Sequence, residues 1–143
     1  MSRVFWDTNL FIYLFEDYGK DSERVAALRR KMLERGDELV TSTLTIGEIL
    51  VKPAGSGDEE LCRKYEDAIR STAVVVDFNL AAARRYAALR ARQHARKLAP
   101  PDAIQLACAG AAGVDLFLTN DSRLHEFHVE GVHFITSVER APL

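Results

Sequence analysis

Five short apolar runs, each separated from the next by a longer helical stretch, leave this chain few ways to fold. Val4 to Trp6, Glu38 to Thr41, Val74 to Val76, Leu116 to Leu118 and His133 to Ile135 have strand length and are rich in β-branched, aromatic or leucine residues. Strands joined through helices imply right-handed crossovers, hence a mostly parallel sheet with helices on both faces. The expected fold is one three-layer α/β/α domain over residues 1–143, with no internal repeat and no second domain.

The helical stretches carry their own punctuation. Asn9 to Phe15 reads as a brief helix, apolar on most sides and so buried. Asp21 or Ser22 can cap a helix that has Val25, Leu28 and Met32 on one face and ends at Gly36. Ile46 to Val51 is predicted as a helix stopped before Pro53, and Ala54 to Asp58 as a loop opening a helix over Glu59 to Ser71. An Ala/Arg-rich helix is predicted from Leu80 to about Leu98. Pro100-Pro101 then opens a helix to Ala112, with Gly113 at its end.

With 143 residues and 48% apolar content the chain can bury a core unaided. No apolar run approaches the roughly 20 residues of a membrane span, and no basic-then-apolar leader opens the sequence. Cys62 and Cys108 are too few for a disulfide scaffold and read as core thiols, which suits a reducing cytoplasm. The net charge of −2 excludes little. Its distribution says more: Arg84, Arg85, Arg90, Arg92, Arg96 and Lys97 fall between Asp77 and Asp102 with no acid among them. At about 100° per residue, Arg85, Arg92 and Arg96 share one stripe, either a solvated helix face or a surface for a phosphate backbone.

Four carboxylates stand where a predicted strand ends or the next helix begins: Asp7, Glu48, Asp102 and Asp121. In a parallel α/β sheet, ligands bind at the carboxyl ends of the strands, so acids distant in sequence can converge there. Each has a simpler explanation. Asp7 can be the N-cap of the short helix. Thr45-x-x-Glu48 matches a capping box, unless Ser42 or Thr43 is the true cap and Glu48 lies farther in, free to point across the sheet end. Asp102 lies in a first helical turn, where the helix dipole favours an anion by about 0.3–1 kcal/mol. Asp121 can be a turn residue. Four such coincidences on one sheet edge are less economical than one shared site. Oxygen-only ligands suit Mg²⁺ or Mn²⁺, and the chemistry that follows is metal-assisted phosphodiester hydrolysis. Asp115, before the Leu116–Leu118 strand and roughly 10 Å from Asp121, is assigned to the opposite edge.

Other constellations carry less. His125 and His128 are three apart, but no further Cys or His completes a metal set, so they read as satellite surface histidines. There is no GxxxxGK[ST] loop, and Gly55-Ser56-Gly57 follows no strand. Trp6, Tyr13 and Tyr86 read as packing residues. A phospho-acceptor receiver needs a Lys near its last strands, yet none follows Lys97. A haloacid-dehalogenase-like phosphatase wants an Asp where Asn9 stands.

The order Asp7-Thr8-Asn9, Gly47-Glu48, Pro101-Asp102-Ala103 and Leu118-Thr119-Asn120-Asp121 resembles the PIN-domain family, and the length and layout are most similar to VapC-type toxins. The likeness runs from Arg3 to about Val138. It implies that Asp7, Glu48, Asp102 and Asp121 ligate or organise one or two Mg²⁺ or Mn²⁺ ions, with Asp7, Asp102 and Asp121 as the metal set. It also implies that Thr8, Thr119 and Asn120 lie close by. The activity implied is endoribonuclease cleavage of single-stranded RNA. Also implied are silencing by a small antitoxin and a homodimeric state. A PIN-like RNA-processing nuclease, or a non-catalytic RNA- or protein-binding module, is the alternative.

Overall fold

The computed structural model of the chain describes residues 1–92 and 97–143. The elements in order are β1 (Arg3–Trp6), α1 (Thr8–Phe15), α2 (Lys20–Arg35), β2 (Glu38–Ser42), α3 (Thr43–Gly55), α4 (Glu59–Thr72), β3 (Val74–Val76), α5 (Leu80–Ala91), α6 (Pro100–Ala112), β4 (Val114–Leu118), a 3₁₀ turn (Ser122–Glu126) and β5 (Val132–Thr136). All four strand pairings are parallel, in the order β3-β2-β1-β4-β5. The chain winds outward from β1 through β2 to β3, then returns to lay β4 and β5 on the other side of β1. The winding direction therefore reverses at β1, and a crevice opens beyond the carboxyl ends of β1 and β4, where Trp6 pairs with Leu118.

Alternation along the strands divides the core. Phe5 and Phe117 stack at 5.0 Å beneath α5 and α6, together with Val40, Leu89 and Leu106. Val4, Trp6, Leu39, Leu116 and Leu118 point the other way, against Leu10, Phe11, Val25, Met32 and Ile69 of α1, α2 and α4. Burying each such side chain contributes about 1.5–3 kcal/mol, so a one-residue slip of β1 would expose both layers. Gly110 and Gly131 allow α6 to touch the loop before β5. A Cβ on Gly110 would lie 2.6 Å from the Glu130 carbonyl, and Gly131 has a φ of +91°. Among the described residues no helix is long and apolar enough to cross a membrane.

Several local expectations need correction. Helix α2 begins at Lys20 with Gly19 as its uncapped N-cap; Asp21 and Ser22 lie inside its first turn, and the Ser22 hydroxyl bonds instead to the Glu16 carbonyl. Of α1, only Leu10 and Phe11 are fully buried. Helix α3 does not stop before Pro53: it runs through to Gly55, with the Pro53 ring buried. The missing N–H costs one i−4 bond, and the buried ring offsets part of that loss. Helix α5 ends at Ala91 rather than Leu98, because Arg92 turns extended at its C-cap. Cys108 is buried, and burial pushes its thiol up to about 11; Cys62 is only half-buried, not a core thiol.

Candidate metal site at the carboxyl edge of the sheet

The crevice at the ends of β1 and β4 is built from the first residue beyond each strand. Asp7 follows β1, and its N–H still bonds to the Leu118 carbonyl at 3.0 Å, so the sheet ladder fixes its backbone. It is also the N-cap of α1, with Oδ1 accepting from the Thr8 N–H at 2.9 Å. Thr119, the first residue after β4, donates its hydroxyl to Asp7 Oδ2 at 2.7 Å. The capping role and the site role therefore coincide. Asp7 is 7% exposed, and its supports are neutral. Burial pushes its carboxyl up to about 6 against these two hydrogen bonds, and the charges of Asp102 and Glu48 push the same way.

Glu48 reaches the crevice because Ser42 is the N-cap of α3, which puts Glu48 in its second turn rather than in a capping box with Thr45. The Thr8 hydroxyl donates to Glu48 Oε1 at 2.5 Å. Asp102 enters from the first turn of α6, half-buried, and no described residue donates a hydrogen bond to it. Burial raises its pKa, with the Asp121 charge next and Arg123 partly offsetting both. Asp121 caps the 3₁₀ turn and is held below the usual carboxylate range by Arg123. The Arg123 guanidinium donates to both carboxylate oxygens, at 3.0 and 2.6 Å.

Beneath these acids lies a polar network that the sequence reading missed. Gln105, 2% exposed, donates to Thr45 Oγ1 at 2.7 Å and to Thr8 Oγ1 at 3.2 Å, and it accepts from the Ser42 hydroxyl. Gln105 follows Asp102 by three residues, so both lie on one face of α6. The glutamine thus ties α6 to the ends of β1 and β2, and its bond to Thr8 steadies the hydroxyl that serves Glu48. The available signal was a lone amide inside the apolar run Ala103-Ile104-Gln105-Leu106-Ala107. Arg123 was missed as well, two residues beyond an acid already singled out.

The remaining expectations fare unevenly. Thr8 and Thr119 touch the acids directly. Asn120 does not: its amide donates to the Tyr13 hydroxyl at 2.6 Å and its N–H to Asn9 Oδ1 at 3.2 Å. Tyr86 packs edge-on against Phe78, and Trp6 is fully buried. His125 is more than a surface residue, since its ring nitrogen sits 3.1 Å from the Thr119 carbonyl, whereas His128 is exposed. Asp115 lies within β4, near its start, where Oδ2 accepts from the Arg3 N–H at 2.8 Å. Two members of the arginine stripe are each hydrogen-bonded to a backbone carbonyl. Arg85 donates to the Glu130 carbonyl at 3.0 Å, next to Gly110, eight residues and about 12 Å along α6 from Asp102. Arg92 donates to the His128 carbonyl at 2.8 Å, and Arg96 lies outside the described residues.

The donor set suits a hard divalent cation. Asp7, Glu48 and Asp102 repel one another, and Asp102 has oxygen lone pairs that no donor among the described residues uses. Among the described residues no three acids, histidines or cysteines already close on a single point. That spacing excludes a dry protein cage but not Mg²⁺, which keeps several waters and takes only one or two carboxylates.

Comparison with known proteins gives one family and a consistent set of folds. The PIN domain family matches residues 4–129. DNA-bound VapBC from Salmonella typhimurium has 23% identity over 96% of this chain and 99% of that one, with a TM-score of 0.73. A toxin–antitoxin complex from Klebsiella pneumoniae has 26% identity over 90% and 94%, with a TM-score of 0.60. VapBC2 from Rickettsia felis, bound to a promoter DNA fragment, has 15% identity over 94% and 98%, with a TM-score of 0.70. No curated protein matches the chain.

Proposed function

The chain belongs to the PIN domain family, and from that premise we propose that it is a Mg²⁺- or Mn²⁺-dependent endoribonuclease that cuts single-stranded RNA. The observation that carries the reading is Asp7: a buried carboxylate at the winding reversal, steadied by neutral donors and facing further acids. Such a group carries its charge at neutral pH only at a desolvation cost, which a bound cation would offset. Asp7 and Asp102 are the primary ligands, Asp121 completes the metal set, and Glu48 either binds or orients water. A divalent ion held there supplies a more acidic water and offsets charge on the phosphate.

The chain's own residues prepare that chemistry. Thr119 and the Thr8 N–H each bond one Asp7 oxygen, which fixes the carboxylate plane and leaves each oxygen further acceptor capacity. Through Thr8, Gln105 fixes where the free Glu48 oxygen points. Asp7 sits buried behind Glu48, Asp102 and Asp121, so the reacting phosphate meets those three acids before it.

The same proposal extends to biology. Structures with similar folds are toxin–antitoxin complexes, which supports a role as the toxin of a type II pair, in the cytoplasm. A small antitoxin presenting Arg or Lys to the four acids would block ion and RNA together. Val74, Phe78 and Leu80, exposed near the β3 edge, suit a homodimer face. The test is direct. Purified protein should cut a single-stranded RNA with Mg²⁺ or Mn²⁺ and stop in EDTA; full cleavage in EDTA would sink the mechanism. Expression alone should arrest growth, and co-expression of a small protein from the adjacent reading frame should restore it. Harmless expression with no binding neighbour would favour a housekeeping RNA-processing role.

A further inference from the structure

RNA must approach a crevice walled by carboxylates, and each phosphate it brings is repelled until a cation intervenes. Arg85 and Arg92 each donate to a backbone carbonyl, of Glu130 and His128, rather than to the acids. Among the described residues, Arg123 and His125 carry charge that reaches these acids, and of the two Arg123 is the one hydrogen-bonded to a carboxylate. Arg123 forms a two-pronged pair with Asp121, and its field extends to Asp102. Its side chain is 77% exposed, so the pair is held at a solvent boundary and costs little to open. Asp121 keeps its turn-capping bond from the Arg123 N–H at 3.0 Å whether or not the guanidinium stays. The geometry of a guanidinium on a carboxylate is also its geometry on a phosphate: two parallel N–H donors to two oxygens.

We propose that Arg123 has two stations: on Asp121 as an internal counter-ion when no metal is bound, and on a phosphate of the entering RNA once a divalent ion takes over the acids. The proposal rests on the nuclease reading above. Arg123 then does two opposed things. It competes with the metal for Asp121, and it repays that competition by gripping substrate, so the ion and the RNA favour each other's binding.

The test uses the full chain and the variants Arg123→Gln and Arg123→Lys. Mn²⁺ alone is titrated by calorimetry. The Gln variant should bind it about 3- to 10-fold more tightly than wild type, and the Lys variant should fall between them, since it keeps charge but not the two-pronged fit. With a single-stranded RNA substrate, the Gln variant should raise KM about tenfold while kcat moves less than about threefold. Its log(kcat/KM) against log[KCl] should flatten by about 0.7, the loss of one phosphate contact; the Lys variant should keep the wild-type slope. Unchanged or weaker Mn²⁺ binding in Arg123→Gln, or an unchanged salt slope, overturns the proposal and leaves Arg123 as a brace on its turn. If wild type itself neither binds Mn²⁺ nor cuts RNA, the nuclease reading fails and this inference falls with it. If wild type does both, a failure in the variants counts against Arg123 alone.

Discussion

Asp7 and Asp37 stand at opposite edges of one sheet, Asp7 just after β1 and Asp37 just before β2, each 7% exposed. Their surroundings differ completely. Asp37 accepts from Arg35 Nε at 2.8 Å and from the Ser2 N–H at 2.7 Å, and the chain's terminal amine lies 4.0 Å away. Asp7 has two neutral donors and two acidic neighbours. One carboxylate is neutralised by its own protein; the other has no cationic hydrogen-bond partner among the described residues. Burial of an acid is therefore no signature of function by itself; what sets Asp7 apart is burial without a cationic hydrogen-bond partner among the described residues.

The widest gap between the two edges should appear on substitution. Asp7→Asn should lower metal-dependent RNA cleavage by at least about 10²-fold, with stability equal to or above wild type, since a buried charge is relieved. Asp37→Ala should do the reverse. It should cost about 2 kcal/mol in urea unfolding through the donors it strands, with the cleavage rate per folded molecule kept. Equal activity losses at both positions would erase the distinction.

Gln105 sharpens the contrast from below. Gln105→Leu fills the same space but strips Thr8, Thr45 and Ser42 of their shared partner, so it should destabilise by about 1–3 kcal/mol. Cleavage should also fall, through a misplaced Glu48, by less than Asp7→Asn causes. A stability loss with cleavage intact would make the network purely structural.

A pH series probes the strain at Asp7 without metal or substrate. The Asp7 carboxyl stands near 6 when folded, above its ordinary 3.8, so its contribution to stability is full below about pH 4 and is lost as pH rises through about 6. Asp102 is shifted the same way, while Asp121 is shifted oppositely. In EDTA, wild type should lose about 1 kcal/mol from Asp7 between pH 5 and 7, and Asp7→Asn should lose less. Parallel curves for the two proteins would deny that Asp7 is strained. The smallest effect is expected at Asp115, which is tied to the Arg3 N–H and lies 3.4 Å from His133. Asp115→Asn should change cleavage less than about twofold.

The contrast also marks what could be read from the amino-acid order. All five strands were legible, because apolar runs of three or four residues between helical patterns admit few sheets, and the acids at their ends were expected from parallel winding. Element ends were not. Pro53 reads as a stop, yet its ring is buried within α3; the Ala/Arg pattern after Leu80 contains no breaker, yet the helix ends at Ala91. Periodicity put Arg85 and Arg92 on one stripe, but what a stripe meets depends on tertiary packing, and here it meets two backbone carbonyls. Gln105 and Arg123 escaped for a related reason: each acts through a partner, and partners across the fold are invisible in a string.

The claim that the carboxyl edge holds a divalent cation is tested most directly by Mn²⁺-dependent thermal shift in wild type, Asp7→Asn and Asp37→Asn. Millimolar Mn²⁺ should raise the melting temperature of wild type and of Asp37→Asn by several degrees, as ligand binding to the folded state requires. Asp7→Asn should not respond. An equal rise in Asp7→Asn, or none in wild type, would contradict the account.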